Sequence, residues 1–369
     1  MSQPAPRLSV GLLFGGESPE HEVSIVTARA IAEQLDPARF EVRPLGIARN
    51  GVWAVLTTAA GDPFARLAAG ELPERSDHPF LPLERGAEAT PLPDVFFNAL
   101  HGEGGEDGQI QGYLQLLHRP YTGAGLLAMA AGMDKWITKR IWESEGLSVV
   151  PYAGLTEEQW GRDREACLAE AKKLGLPLFL KPVNLGSSIG VEKVKRAEDL
   201  PAALDRAFGF DRRVLVEQGL DIREIEVAVL GGDDPEVSVP GEVIVADEFY
   251  TFEDKYLAGK STTRIPAELP EELSDLIRSH ARRAFRALDA YGMARVDFFL
   301  EKLTGRVFLN EINLIPGFTS ISMFPKLMAA SGVPYPDQLS RLIDLALARH
   351  QQMAAKSKAF QSGSDWFRG

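Results

Sequence analysis

Three oxygen-bearing side chains near the carboxyl end carry the clearest chemical signal. Asp297 lies in RVDFF, between apolar neighbours, and Glu311 and Asn313 lie two apart in FLNEIN. Residues two apart on a strand point to the same face. If the two segments pair, the three side chains converge, and hard oxygen donors of this kind suit Mg²⁺ completed by substrate phosphates. The alternative is a structural ion pair, for which Arg295 is the obvious cation. Either arrangement relieves the cost of burying an unpartnered acid.

A second signal is NLGSSIG, residues 184–190, with Lys181 just before it. Successive backbone N–H groups in a glycine turn can cradle phosphate oxygens. The segment therefore reads as a phosphate clamp or as a plain Gly/Ser turn. The GxxxxGK[ST] nucleotide loop is absent. A third is GGESPEHEVS, which puts Glu20 and His21 at the start of a helix. Glu20 could meet a substrate ammonium, or could only favour the helix through its dipole.

The surrounding elements must position these groups. LSVGLLF, FEVRPLGIA, VWAVL and DVFFNAL read as strands, with helices from about Val23 to Leu35 and at QIQGYLQLL. This alternation predicts a mostly parallel sheet, whose ligands sit beyond the strands' carboxyl ends. Both glycine loops, Gly15–Gly16 and Gly102–Gly108, fall at that edge. MAAGMDKWITKRIWESEG reads as one long amphipathic helix, and PLFLKPVNLGSSIGVEKV as a hairpin. REIEVAVLG and PGEVIV read as strands, FEDKYLAGKSTTRIP as a long polar loop, and 270–288 and 336–349 as helices. Loops of that length in a compact chain are usually functional or disordered. The segment 59–92 carries no legible motif, and the tail 351–369 is expected to fray.

Composition narrows the classes. With 369 residues the chain should form two or three domains. A net charge of -12 argues against general nucleic-acid binding, which depends on Lys and Arg, but leaves room for a local anion pocket. The single cysteine, Cys167, rules out an intrachain disulfide and a cysteine metal site. No leader is visible, and no run approaches the roughly 20 apolar residues of a membrane span, so a cytoplasmic location without membrane partners is expected.

Taken together, GGESPEHEVS, HGEGGEDG, GMDKWITK, KPVNLGSSIGV, VEQGLDIREIEVAVLG, FEDKY, RVDFF and NEINLIPGFTSISMFPKL resemble, in order, the D-alanine–D-alanine ligases of the ATP-grasp superfamily. The resemblance spans about Leu8 to Leu347. It implies a three-domain α/β ATP-grasp fold. Residues 1–121 would bind the first D-alanine and dimerise, 122–218 would carry the phosphate-clamping hairpin, and 219–350 the long loop and metal site. It implies ATP-driven formation of a D-alanyl phosphate, then attack by the amine of a second D-alanine, for peptidoglycan precursor synthesis. Two Mg²⁺ ions, with Mn²⁺ as a substitute, activation by K⁺, and a homodimer are compatible with it.

The roles that the resemblance implies are these. Glu20 holds the first substrate's ammonium, with His101 nearby. Lys135, Lys181 and Lys255 meet ATP phosphates; Glu217 and Leu220 meet adenine, and Glu224 the ribose. Ser187 closes the site and joins Glu20 and Tyr256 in a triad. Arg295 and Gly317 stabilise the oxyanion, Asp297, Glu311 and Asn313 hold the metal ions, and Ser322 binds the second carboxylate. Tyr256 points to D-alanine over D-lactate as acceptor. Leu314 departs from the family's usual threonine, and a local change in loop packing is expected there. Rival readings are a ligase using D-lactate or D-serine, a non-catalytic ATP sensor, and a structural protein.

Overall fold

The computed structural model describes residues 6–56, 61–70, 92–186, 189–244 and 262–356. Ser187, Lys255 and Tyr256, most of the segment 59–92, most of the long polar loop and the tail beyond 356 lie outside the described residues.

The amino-terminal sheet has the order β3-β2-β1-β4, with β1 (Leu8–Gly15), β2 (Phe40–Ile47), β3 (Trp53–Val55) and β4 (Val95–Asn98). β1 is parallel to both β2 and β4, and only β3 is antiparallel. Both faces are covered, which explains the unbroken apolar run of β1. Leu12 and Phe14 pack into the main core, and Leu13 packs with Phe96, Ile110 and Leu114 on the other face. Helix α1 (His21–Gln34) follows β1, and α2 (Pro63–Ala68) packs on α1. Because β1 and β4 are parallel, their glycine loops leave from the same sheet edge, as expected.

After α3 (Gln109–Leu116), the stretch expected as one long helix is two, α4 (Leu126–Met133) and α5 (Lys135–Ser144). Asp134 breaks it. Its ψ of 98° is extended, and its side chain accepts from the Ile137 N–H at 2.9 Å, capping α5. Trp142 of α5 is fully buried and donates to the Ala284 carbonyl at 3.2 Å.

A small sheet of order β5-β8-β6-β7 comes next, with β5 (Tyr152–Thr156), β6 (Leu178–Pro182), β7 (Glu192–Val194) and β8 (Arg213–Gln218). β6 and β7 form the expected antiparallel hairpin. Helices α6 (Glu157–Arg162), α7 (Arg164–Lys172) and α8 (Leu200–Phe208) belong with it. This sheet has its own core, including Leu155, Trp160, Leu178, Leu180, Leu204 and Val214. Ala128, Met129, Trp142, Leu147 and Val149, which precede it, pack into the main core instead. Gly154 of β5 passes so close to the Trp136 ring that an added Cβ would sit 2.1 Å from it. Gly154→Ala should therefore lower stability by about 1–3 kcal/mol through overpacking, read as a lower denaturation midpoint at unchanged m.

The large sheet has the order β12-β11-β9-β13-β14, with β10 paired on β9. Its strands are β9 (Ile222–Gly231), β10 (Glu236–Val237), β11 (Gly241–Ile244), β12 (Thr262–Arg264), β13 (Gly292–Glu301) and β14 (Val307–Asn313). β12 lies at the end of the segment expected to be loop; its exposed residues pair with β11, so backbone pairing holds it without apolar burial. α9 (Glu271–Ala287), α10 (Met323–Ala330) and α11 (Tyr335–Ala354) complete the fold, α11 running past the helix end expected at 349. Val296 and Phe298 of β13 face the core. By the period of two, Arg295 and Asp297 face the opposite side. No described helix is long and apolar enough to cross a membrane.

Candidate active site

β13 and β14 pair antiparallel, as their patterns suggest. Asp297 lies opposite Glu311, and Arg295 opposite Asn313. The register slips between Asp297 and Phe298, where Phe298 pairs with Leu309 and leaves Asn310 as a bulge. A bulge re-aims the side chain it expels; Asn310 accepts from Lys181 Nζ at 3.2 Å and so ties the small sheet to the large one. On the other side of β13, Asp297 lies opposite Glu226 of β9.

Arg295 occupies the centre of this row. Its Nε and Nη2 donate to the two oxygens of Asp297 at 2.8 and 2.7 Å, and Nε lies 3.3 Å from Glu226 Oε2. Burial would lower the pKa of Arg295, but Asp297 and then Glu226 raise it well above the usual value, so the guanidinium stays charged. The ion pair considered from sequence is thus present. It does not exhaust the acids, because Glu311 stands beside it in register. Two carboxylates and the Asn313 amide form a hard-oxygen donor set, and Asn313 Oδ1 accepts from the Ile315 N–H at 3.0 Å, which orients it. Among the described residues, no three His, Cys, Asp or Glu side chains form a ready cage. Such a partial set fits Mg²⁺ sharing its remaining positions with phosphate oxygens.

Glu226, Arg295, Glu311 and Asn313 line a cleft with Glu20, Thr27, His101, Glu106, Lys135 and Gly186, while Asp297, buried behind Arg295, does not reach its surface. Gly317, Leu314 and Ser322 line it as well. Glu20 is the N-cap residue of α1, but its side chain makes no capping bond there. Instead its carboxylate lies between two glycines: a Cβ on Gly102, at φ +72°, would sit 2.6 Å from Oε2, and one on Gly186 3.2 Å from it. His101 is buried, with Nε2 3.1 Å from Thr27 Oγ1 and Nδ1 3.2 Å from Glu106 Oε1. Ser322, just before α10, accepts from the Thr319 N–H at 3.1 Å, close to Gly317. Leu314 is buried against Gly132 of α4, so the departure from threonine adds to the core beside the cleft.

The second cluster is basic. Glu217 of β8 is buried, with Oε1 2.9 Å from Lys139 Nζ and Oε2 2.7 Å from Lys181 Nζ. Burial alone would raise its pKa, but Lys139 and Lys181 outweigh that and hold it at about 2. Lys135 Nζ donates to the Leu185 carbonyl at 2.7 Å, on the hairpin. Leu220 lies two residues past the end of β8, and Glu224 of β9 lies two residues from Glu226, on the same face. Glu226, Lys139, Thr27 and Glu106 are not among the site residues expected from the sequence. Alternation within REIEVAVLG marks Glu226, and a helical turn from Lys135 marks Lys139.

Residues 9–124 match the family described as D-ala D-ala ligase N-terminus, and residues 141–344 match D-ala D-ala ligase C-terminus. D-alanine–D-alanine ligase A of Bradyrhizobium diazoefficiens is 44% identical over 375 residues, covering 97% of this chain and 100% of that one. The D-alanine–D-alanine ligase structure from Coxiella burnetii is 35% identical with a TM-score of 0.80, covering 94% of this chain and 97% of that one. The VanG D-Ala:D-Ser ligase structure from Enterococcus faecalis is 31% identical with a TM-score of 0.80, covering 92% of this chain and 100% of that one. With two-part matches across most of its length and an α/β ATP-grasp architecture, the chain belongs to the D-alanine–D-alanine ligase family.

Proposed function

We propose that the chain joins two D-alanines at the expense of ATP. The supporting observation is that Glu20, His101, Arg295, Glu311, Asn313, Gly317 and Ser322, drawn from distant segments, line one cleft. A carboxylate is a poor electrophile. Transfer of the γ-phosphoryl group of ATP to a carboxylate oxygen of the first D-alanine releases ADP and makes an acyl phosphate. The amine of the second D-alanine then attacks the acyl carbon, phosphate leaves, and the amine nitrogen loses a proton. Phosphoryl transfer depends on placement and charge neutralisation more than on covalent help.

Glu20 holds the first ammonium beside His101. Arg295 and the Gly317 N–H stabilise the oxyanion, and Ser322 receives the second carboxylate. Lys135, Lys181 and Lys255 meet the phosphates, while Glu217, Leu220 and Glu224 receive the nucleoside. Asp297, Glu311 and Asn313 would hold two Mg²⁺ ions, whose charge would offset that of the phosphate oxygens; Mn²⁺ could replace them, and K⁺ could activate. Ser187 and Tyr256 would close the site with Glu20 and exclude water from the acyl phosphate. We also propose that residues 1–121, 122–218 and 219–350 act as three units, that the chain pairs as a homodimer through the first, and that it works in the cytoplasm.

The test is ADP release by the purified protein with ATP and Mg²⁺, with D-alanine, L-alanine, D-lactate or D-serine added, and products identified by mass. D-alanyl-D-alanine is expected as the main product, with a higher kcat/KM for D-alanine than for D-lactate at pH 7. A main product ending in D-lactate or D-serine would overturn the acceptor assignment. ATP binding without D-alanine-dependent turnover would overturn the enzyme reading.

A further inference from the structure

Glu226 has no part in the roles above, yet it is the third acid in a row that crosses the large sheet. It lies opposite Asp297, which lies opposite Glu311 on the next strand. Directly opposed residues on neighbouring strands point to one face. Glu226 is 2% exposed, lines the cleft, and has Oε2 3.3 Å from Arg295 Nε. A single guanidinium therefore lies between two buried carboxylates, forked on Asp297 and flanked by Glu226.

The two carboxylates differ in what else can claim them. A divalent cation bound as proposed above would compete with Arg295 for the Asp297 oxygens. A guanidinium displaced within a buried site needs another anion at hand, because a buried charge left without a partner is strongly unfavourable. Glu226 is that anion, already within 3.3 Å and on the side of β13 away from Glu311. We propose that Glu226 is a positioning residue that keeps Arg295 in the cleft when a divalent cation takes the Asp297 carboxylate. The inference rests on the metal reading above. It gives Arg295 two anchors, one for each state of the site, so the charge that meets the substrate is never released to solvent.

The test uses Mn²⁺ affinity measured by electron paramagnetic resonance on the full chain with saturating ADP. Glu226→Gln keeps the shape and removes the charge. It should weaken Mn²⁺ at least about tenfold with Arg295 present, because Arg295 then stays on Asp297 and competes with the ion. In the Arg295→Met background it should change affinity by less than about threefold. A tenfold loss that persists without Arg295 would make Glu226 a direct metal ligand and overturn the inference, as would no loss in either background. If the native chain binds no Mn²⁺ with ADP, the metal reading itself fails and takes the inference with it. A second readout needs only one folded variant. With Mg²⁺ and ADP, the Arg295 Nε–H resonance should stay sharp in the native chain and broaden in Glu226→Gln; equal sharpness in both would overturn the inference.

Discussion

Arg295→Met is expected to lower kcat for D-alanine-dependent ADP release by roughly 10²- to 10³-fold, the usual consequence of losing one donor that meets developing negative charge. The residue is well suited to so large an effect. Its guanidinium lies between Asp297 and Glu226, and these acids keep it ionised despite its burial. With an anchor on either side, the charge stays in the cleft and does not have to be recruited from solvent during the reaction. The loss should fall on kcat more than on KM for ATP, because the interaction strengthens in the transition state. The same substitution leaves Asp297 and Glu226 buried without their cation, and should lower stability of the ligand-free chain by about 3–5 kcal/mol. Arg295→Lys should recover much of the stability but not the rate, since an ammonium cannot reproduce the fork. A methionine variant that is folded by circular dichroism and retains more than a tenth of native kcat would show that Arg295 is not the oxyanion donor.

The second large effect is expected at Glu217. Both of its oxygens meet a lysine, and Lys139 is 1% exposed. Glu217→Gln removes the counter-charge, after which burial favours the neutral form of Lys139. The expected cost is about 3–5 kcal/mol in urea denaturation. A pH signature separates this from a packing defect. The folded pKa of Glu217 is depressed from 4.5 to about 2, so its contribution is fully present above about pH 4.5 and is lost as the pH falls towards 2. The native chain should lose stability over that window more steeply than Glu217→Gln. Parallel slopes would mean that the Glu217 charge is not what stabilises the cluster. ATP affinity should fall as well, since Lys181 loses the carboxylate that aims it.

The contrast between these two sites explains how much the sequence disclosed. Asp297, Glu311 and Asn313 were legible because strand alternation is local: a polar residue every second place in an apolar segment states its face. The hairpin of β6 and β7 and the core strands were legible for the same reason. The break at Asp134 was not, because one capping residue outweighs an otherwise continuous helical pattern, and only the extended backbone shows that it does. Lys139 reads on paper as an ordinary helix cation, and only the approach of β8 from 78 residues away makes it buried. Glu226 was hidden by its neighbour Glu224, since two acids on one strand face look like a solvated edge until β13 is laid beside them. The bulge at Asn310 was likewise invisible, because register belongs to a pair of strands and not to either one.

The division of the cores has a mechanical consequence. The small sheet has its own apolar interior, while α5 is fastened to the main body by Trp142 and its bond to Ala284. Along α5, Trp136 packs on Gly154 of β5, Lys139 meets Glu217 of β8, and Lys135 reaches the Leu185 carbonyl, so the helix and that sheet meet along a seam. Such a seam is the axis about which the small sheet, as a lever arm, can turn. A rotation about it would displace Glu217, which lies on the seam, less than Gly186, which stands at the hairpin tip beside Glu20. Such a swing would widen or narrow the gap between Gly186 and Glu20 while leaving the Lys139–Glu217 pair closed.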